Sequence, residues 1–335
     1  MNNSLEVRLL RNKEQSLWDK FTKDFDTGCF MQSGVWADFK ELEGYQTFRY
    51  GLFDNNTLVG GCIFYYYPDR NRPNILFAPG APIVLSEYLE LGLQLLIKQA
   101  EKLAKQLNII ALRIEPLWQE KPKCLQEFSR SPADLLPCET LLINLQQTEA
   151  KLLVAMKPKG RYNLRLSQRY QVTTEFTKDS QAISLFYNLF WTTVQRHKFF
   201  GEPYSFFINL CQTLFQADVA EIGFAKWQGE ILVSIIVVYW GKRATYLYGG
   251  SQDKYRHVMP AYTLHWDAML RAKKRGCEFY DFYGFTTDNN HNYANFSQFK
   301  SQFGGEKSKT IGAQDYFFYD RFAETLVTLI NKLYE

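Results

Sequence analysis

The sequence predicts an α+β chain built as two tandem units, each a mixed β-sheet with flanking helices. Three observations predict it. The chain has 335 residues, about two domains at the usual 100–200 residues each. It is 46% apolar and 22% charged, which is globular usage and excludes a disordered chain, a coiled-coil rod and a disulfide miniprotein. One order of strand, turn, strand, strand, long helix and strand also occurs twice, about 170 residues apart. The expected units are 1–150 and 151–335.

The first copy opens on a hairpin from Gly51 to Phe64, with Asp54-Asn55-Asn56 at its turn. A third strand near Ile75–Phe77 runs into a Pro79-Gly80 turn. A helix over Glu87–Leu107 follows, because Leu89, Leu93, Leu96, Ile97, Ala100, Leu103, Ala104 and Leu107 recur at steps of three and four. Ile109–Ile114 reads as a buried strand closing on Glu115. The second copy repeats this. Its hairpin spans Gly223–Ile236, a third strand Ala244–Tyr248 meets a Gly249-Gly250 turn, and a helix spans Ala261–Arg275. A last strand, Glu278–Tyr280, closes on Asp281. A crossover helix between the last two strands makes them parallel within a mixed sheet.

Between the copies, Lys151–Thr174 carries Lys151, Lys157, Lys159, Arg161, Arg165 and Arg169 and no acid. Pro158 and Gly160 lead into a helix on which Arg161, Arg165 and Arg169 share one face. That face reads either as a solvated basic surface or as a surface for phosphates. A second helix, about Ser180–Arg196, ends in Gln195-Arg196-His197-Lys198. Cations there complement the helix dipole, and an arginine leaving a helix end also suits a diphosphate.

Net charge is +4, too mild for a general nucleic-acid binder but compatible with an anionic ligand at a local patch. Aromatics reach 16%, which suits stacking pockets. The longest strongly apolar run, Ile231–Trp240, is far short of the ~20 residues that span a bilayer. The first residues lack an apolar signal region. The six cysteines are scattered without a C-x-x-C pair, so reduced thiols and a cytoplasmic location are expected. The four histidines lack metal-ligand spacing, so no metal is expected.

The β-β-β-α-β order resembles the Gcn5-related N-acetyltransferase fold. Enzymes of that fold hold the CoA pyrophosphate on a glycine-rich loop that opens the long helix. The equivalent places here, 78–82 and 251–260, lack it, so no CoA and no other cofactor is expected. There is also no P-loop, dinucleotide fingerprint or nucleophile elbow.

Four stretches carry a closer resemblance. They are Gln32-Ser33-x-x-Trp36-x-x-Phe39-Lys40, Lys159-Gly160-Arg161-Tyr162-Asn163-x-Arg165, Tyr280-Asp281-Phe282-x-Gly284 and Phe299-Lys300-x-x-Phe303-Gly304-Gly305. Together the chain resembles the FemABX family of tRNA-dependent peptidoglycan aminoacyltransferases. With no room for a helical hairpin insert, it resembles the compact type without the arm.

The resemblance implies transfer of an amino acid from aminoacyl-tRNA to an amine of a UDP-linked or lipid-linked peptidoglycan precursor. It implies Lys300 at the reacting ester as an oxyanion donor, with Glu115 orienting or deprotonating the amine. Lys40 and Arg196 would hold the precursor's diphosphate. Trp36, Tyr248, Asp281, Phe299 and Phe303 would line the substrate sites, and Lys159, Arg161, Arg165 and Arg169 would meet tRNA phosphates. A monomer, with peripheral association at the inner membrane face, is the expected state. Two other readings stay open: the same skeleton acting on a polysaccharide or protein amine, and a non-catalytic tandem module binding nucleotides or RNA. For Lys300 by itself the other reading is a surface lysine beside an aromatic stripe.

Overall fold

The computed structural model describes residues 5–69, 73–288 and 294–319, with only the backbone of residue 295. In chain order the elements begin β1 (Leu5–Leu9), α1 (Gln15–Asp24), α2 (Gly34–Leu42), β2 (Gln46–Asp54), β3 (Thr57–Tyr66) and β4 (Ile75–Pro79). Next come β5 (Ile83–Val84), α3 (Leu89–Leu107), β6 (Ala111–Glu115), β7 (Ser129–Arg130), β8 (Glu139–Asn144), α4 (Glu149–Ala155), α5 (Pro158–Arg169) and β9 (Thr173–Thr177). Then follow α6 (Ala182–His197), α7 (Tyr204–Gln216), β10 (Ala220–Trp227), β11 (Glu230–Trp240), β12 (Arg243–Ser251), α8 (Pro260–Lys274), β13 (Phe279–Asp281), α9 (Ala294–Lys300), β14 (Glu306–Lys309) and β15 (Gln314–Phe317).

The first unit holds a sheet in the order β1-β2-β3-β4-β6-β15-β7, with β5 also on β3. The second holds β14-β8-β13-β12-β11-β10-β9. In each, one central pair is parallel, β4 with β6 and β12 with β13. The crossover helices α3 and α8 link those pairs, as the repeated pattern predicts. Both hairpins turn on two residues with positive φ, Asn55-Asn56 and Gln228-Gly229. That conformation matches the twist of the flanking strands. The buried stripe of α3, Leu93, Leu96, Ala100, Leu103 and Ala104, packs into one core with Leu52, Phe64, Leu76 and Leu112.

The unit boundaries differ from 150/151. Compact unit 1 takes the chain up to Cys138 and again from Lys309, and unit 2 is Glu139–Ser308. The reason is the strand that completes each sheet. β8 pairs antiparallel with β13, and β15 pairs antiparallel with β6. Each closing strand therefore lies in the sheet whose other core strands are distant in sequence. Directly opposed in the β6–β15 register, Arg113 and Asp315 form a buried bidentate ion pair at 2.7 and 2.9 Å.

The expected turn at Gly249-Gly250 is also corrected: both residues lie inside β12. Gly250 is small for another reason. A Cβ there would stand 2.3 Å from the backbone N of Phe190 and 2.4 Å from the carbonyl carbon of Leu189 in α6. Backbone cannot step aside, so Gly250→Ala is expected to cost about 1–3 kcal/mol by overpacking. Urea unfolding of the purified variant checks this, and an unchanged midpoint would mean that α6 has room to move.

Candidate active site

In unit 2 the loop that leaves β13 shapes the surroundings of Lys300. Asp281, at the end of that strand, accepts hydrogen bonds from the Thr140 hydroxyl, from Arg243 Nη1 at 3.0 Å and from the backbone N of Tyr283 at 2.8 Å. Tyr283 and Gly284 then both take positive φ, 50° and 39°. This turns two successive carbonyls toward one point. Lys300 Nζ, on the last turn of α9, donates to Tyr283 O and to Gly284 O, each at 2.6 Å. An ammonium has three donors, so one N–H remains for a ligand.

The walls of this site are aromatic. Lys300 is 8% exposed, and its Nζ lies 5.7 Å from the centre of the Tyr246 ring. Phe303 is buried against Tyr262 and Phe282, with ring centres at 5.5 and 5.0 Å. Phe299 meets Tyr262 and His265 at 5.2 and 5.5 Å. Burial pushes the Lys300 amine down to about 7, and the Asp281 carboxylate pulls it the other way. His265 Nδ1 is 3.0 Å from the Tyr280 hydroxyl. Burial first, and then Lys300, push His265 down to about 3, so it is neutral at physiological pH.

The α5 stretch and the Lys300 stretch pack on one another. A Cβ on Gly160 would stand 2.2 Å from Gln302 O, and one on Gly304 would stand 2.4 Å from Ala155 O. Gly304 also has φ of 80°. Glycine is required at both, because α5 and α4 approach the segment after α9 backbone to backbone.

In unit 1, Glu115 ends β6 and is 2% exposed. Its Oε1 accepts from Leu135 N at 2.8 Å and its Oε2 from Leu136 N at 2.6 Å. Both oxygens thus hold the loop that follows β7. Burial pushes this carboxyl up to about 7 against those two bonds. A raised carboxyl contributes stability that is present below its unfolded value near 4.5 and lost as pH rises through about 7. The fall amounts to about 3 kcal/mol at 1.36 kcal/mol per pH unit. Glu115→Gln should flatten it and cost about 1–3 kcal/mol at pH 5, where the amide NH₂ faces a backbone N–H. Urea unfolding at pH 5 and pH 8 reads both. Equal pH dependence in the two proteins would remove Glu115 as the titrating group.

The remaining candidates divide. Lys40 lies in the last turn of α2, its Nζ 3.9 Å from the centre of the Tyr45 ring. Trp36 is 7% exposed and packs edge-on against Phe30 and Phe39 at 4.8 and 5.0 Å, which is a core position. Arg196 is held within unit 2, to Ser251 O at 3.0 Å, Ser251 Oγ at 2.9 Å and Asp253 Oδ1 at 2.9 Å. That fixes the end of α6 to the end of β12. Tyr248 packs against Phe190, Phe206 and Phe207 at 5.9, 6.0 and 5.1 Å. Lys159, Arg165 and Arg169 are exposed on α5, and Arg161 is half-buried. His265, Tyr246, Arg243 and the two loop carbonyls are not recognised from sequence. The signal for His265 is its position three residues after Tyr262, on the same face of α8.

None of the six cysteines, all of them among the described residues, forms a disulfide. Among the described residues no cluster of His, Cys, Asp and Glu could hold a metal ion. Among them, too, no helix is long and apolar enough to cross a membrane.

Comparison with known proteins shows the family and the fold. A family model described as the FemAB family matches residues 14–135 and 220–322. A lipid II:glycine glycyltransferase of Staphylococcus saprophyticus is 22% identical, over 89% of this chain and 90% of its own. The protein of the same name from Staphylococcus aureus is 20% identical over 93% of each. Among solved structures, the crystal structure of FemX superposes with a TM-score of 0.87 at 18% identity, covering 96% of this chain and all of that one. A tandem GNAT protein from the clavulanic acid biosynthesis pathway gives a TM-score of 0.57 at 12% identity, over 93% and 98%.

Proposed function

The chain belongs to the FemAB family, and from that premise we propose that it is an aminoacyltransferase of peptidoglycan bridge formation. In this reading it moves an amino acid from aminoacyl-tRNA to an amine on the peptide of a peptidoglycan precursor. The relatives named lipid II:glycine glycyltransferase support a lipid-linked acceptor. The observation that carries the chemistry is Lys300: a buried amine, fixed by two carbonyls at 2.6 Å with one donor left.

The acceptor's neutral amine attacks the ester carbonyl, and the C–N bond forms as the carbonyl oxygen takes up charge. Lys300 donates its remaining N–H to that oxyanion, inside aromatic walls that keep water and its screening away. The C–O bond to the ribose then breaks, and the proton lost by the amine ends on the leaving hydroxyl. Aminolysis of an ester needs no enzyme nucleophile, and placing amine and ester together supplies about 7–11 kcal/mol of the barrier. Glu115 enters as a positioning residue, since both of its oxygens already accept backbone N–H bonds. A donor other than CoA is supported by the start of α8. Its first residue is Pro260, which removes an N–H from the helix end where a pyrophosphate would be bound.

The test is incubation with pools of charged tRNA and the precursor, both UDP-linked and lipid-linked in vesicles, followed by mass spectrometry. A gain of one aminoacyl residue that needs charged tRNA is expected. Transfer from acetyl-CoA alone would overturn the reading. Lys40→Ala should raise KM for the precursor about tenfold and leave kcat unchanged, because a diphosphate carries the same charge throughout the reaction. Steady-state kinetics in precursor decides it, and a fall in kcat at constant KM would place Lys40 at the reacting centre instead.

A further inference from the structure

Lys300 is a buried amine without a carboxylate of its own. Its acceptors are the neutral carbonyls of Tyr283 and Gly284, and it forms no ion pair among the described residues. The titratable side chains around it are Asp281 and Tyr280 on β13, Tyr246 on β12, and Tyr262 and His265 on α8. Burial pushes the three tyrosines up and the histidine down to about 3, so all four are neutral at physiological pH. Two cations from packed elements, Lys157 beside Ser301 and Lys307 beside Phe285, are exposed and screened by water. Asp281 is the carboxylate that acts on the amine.

Asp281 is 3% exposed, and both of its oxygens are engaged by the fold. Oδ1 accepts from the Thr140 hydroxyl and from Tyr283 N at 2.8 Å, and Oδ2 accepts from Arg243 Nη1 at 3.0 Å. Tyr283 is therefore held at both ends, its N–H on Asp281 and its C=O on Lys300 at 2.6 Å. On the parallel neighbour β12, Thr245 stands opposite Asp281 and Arg243 opposite Phe279. We propose that Asp281 is a positioning residue for Lys300 and not a substrate contact. It fixes the loop whose carbonyls anchor the amine, and its charge keeps that amine an ammonium. Arg243 is the counterweight, because a guanidinium on the carboxylate weakens that charge. Arg243, Asp281 and Lys300 thus form a chain of alternating charge. Loss of the carboxylate and loss of the guanidinium should move Lys300 in opposite directions. A residue that only builds the fold carries no such sign. The inference rests on the aminoacyltransferase reading only for what the ammonium does.

Carbon-13 NMR of the full chain, labelled at the lysine ε-carbons, tests it, with the Lys300 signal assigned by its loss in Lys300→Met. The parent's midpoint should lie near 7. Asp281→Asn should lower it by about one pH unit, the low end for losing an opposite charge nearby. Arg243→Gln should raise it. Asn keeps an oxygen for Tyr283 N, and Gln keeps a donor for Asp281, so the loop stays anchored in both. Should Asp281→Asn alone fail to fold because its NH₂ meets Arg243, Asp281→Asn with Arg243→Gln pairs amide with amide. The midpoint of that double variant should also lie below the parent's. In the transfer assay, the loss in kcat/KM of Asp281→Asn against the parent should be about fivefold larger at pH 8 than at pH 6. A midpoint unmoved in the folded variants, or moved the same way by both single substitutions, overturns the proposal. So does a higher KM for the precursor with equal loss at the two pH values, which would return Asp281 to the substrate site. The midpoint needs no substrate, so the outcome is separable from the reaction. Opposite shifts without aminoacyl transfer sink only the reaction, and transfer without opposite shifts sinks only this role of Asp281.

Discussion

Lys300→Met should lower kcat about 10²- to 10³-fold, the usual loss for one oxyanion donor, while KM for the precursor changes little. The charge helps the tetrahedral oxyanion more than the ground-state ester, so its loss falls on kcat. The protonated amine is the working form. With the free-enzyme value near 7, the ratio of parent to Met-variant kcat/KM should fall as pH rises through about 7, since the acceptor amine's own titration cancels in that ratio. Folding is separable. The buried amine's depressed value means that charging it destabilises the fold below pH 7, by up to about 4–5 kcal/mol at 1.36 kcal/mol per unit. Removing it relieves that cost and leaves two carbonyls without a donor, at about 1–3 kcal/mol each. These terms nearly cancel, so the Met variant should unfold within a few degrees of the parent at pH 6. Full kcat in a folded Lys300→Met protein, assayed with a charged-tRNA donor, would remove Lys300 from the chemistry.

Asp315→Ala should be the most destabilising of these substitutions, costing about 3–5 kcal/mol, because it leaves the Arg113 guanidinium buried without its partner. The pair joins β6 to β15 at 2.7 and 2.9 Å, and β15 is the strand that completes the first sheet. Replacing both, as Arg113→Met with Asp315→Leu, should recover most of the loss, since a buried ion pair is often no better than apolar residues of similar volume. The signature is a double-mutant cycle in urea unfolding with a large coupling energy. Additive losses would show that the two side chains act independently and that backbone pairing alone holds β15.

The repeated hairpins, the long helices and the strands closing on Glu115 and Asp281 were legible because each is a local pattern. Alternation, a three-to-four-residue stripe and a turn pair all lie within about twenty residues. Lys300 was legible as a cation among aromatics for the same reason, since Phe299 and Phe303 are its sequence neighbours.

Strand exchange was not legible. β15 finds β6 across some 200 residues, as the 113–315 pair shows, and strand propensity does not name a partner. That is why the expected boundary at 150/151 moved to 138/139 and the last strand joined the first unit. The same reason separates the candidates that share a motif. Trp36 turned into the core while Lys40 sat at the helix end, and Arg161 bent back to α4 while Arg165 and Arg169 stayed exposed. Composition and periodicity determined the elements and their order, because those follow from each residue's own conformational and burial preferences. The amine's two carbonyl anchors, its aromatic walls and the partner of each closing strand were decided by tertiary structure. Each depends on which distant backbone the folded chain brings alongside.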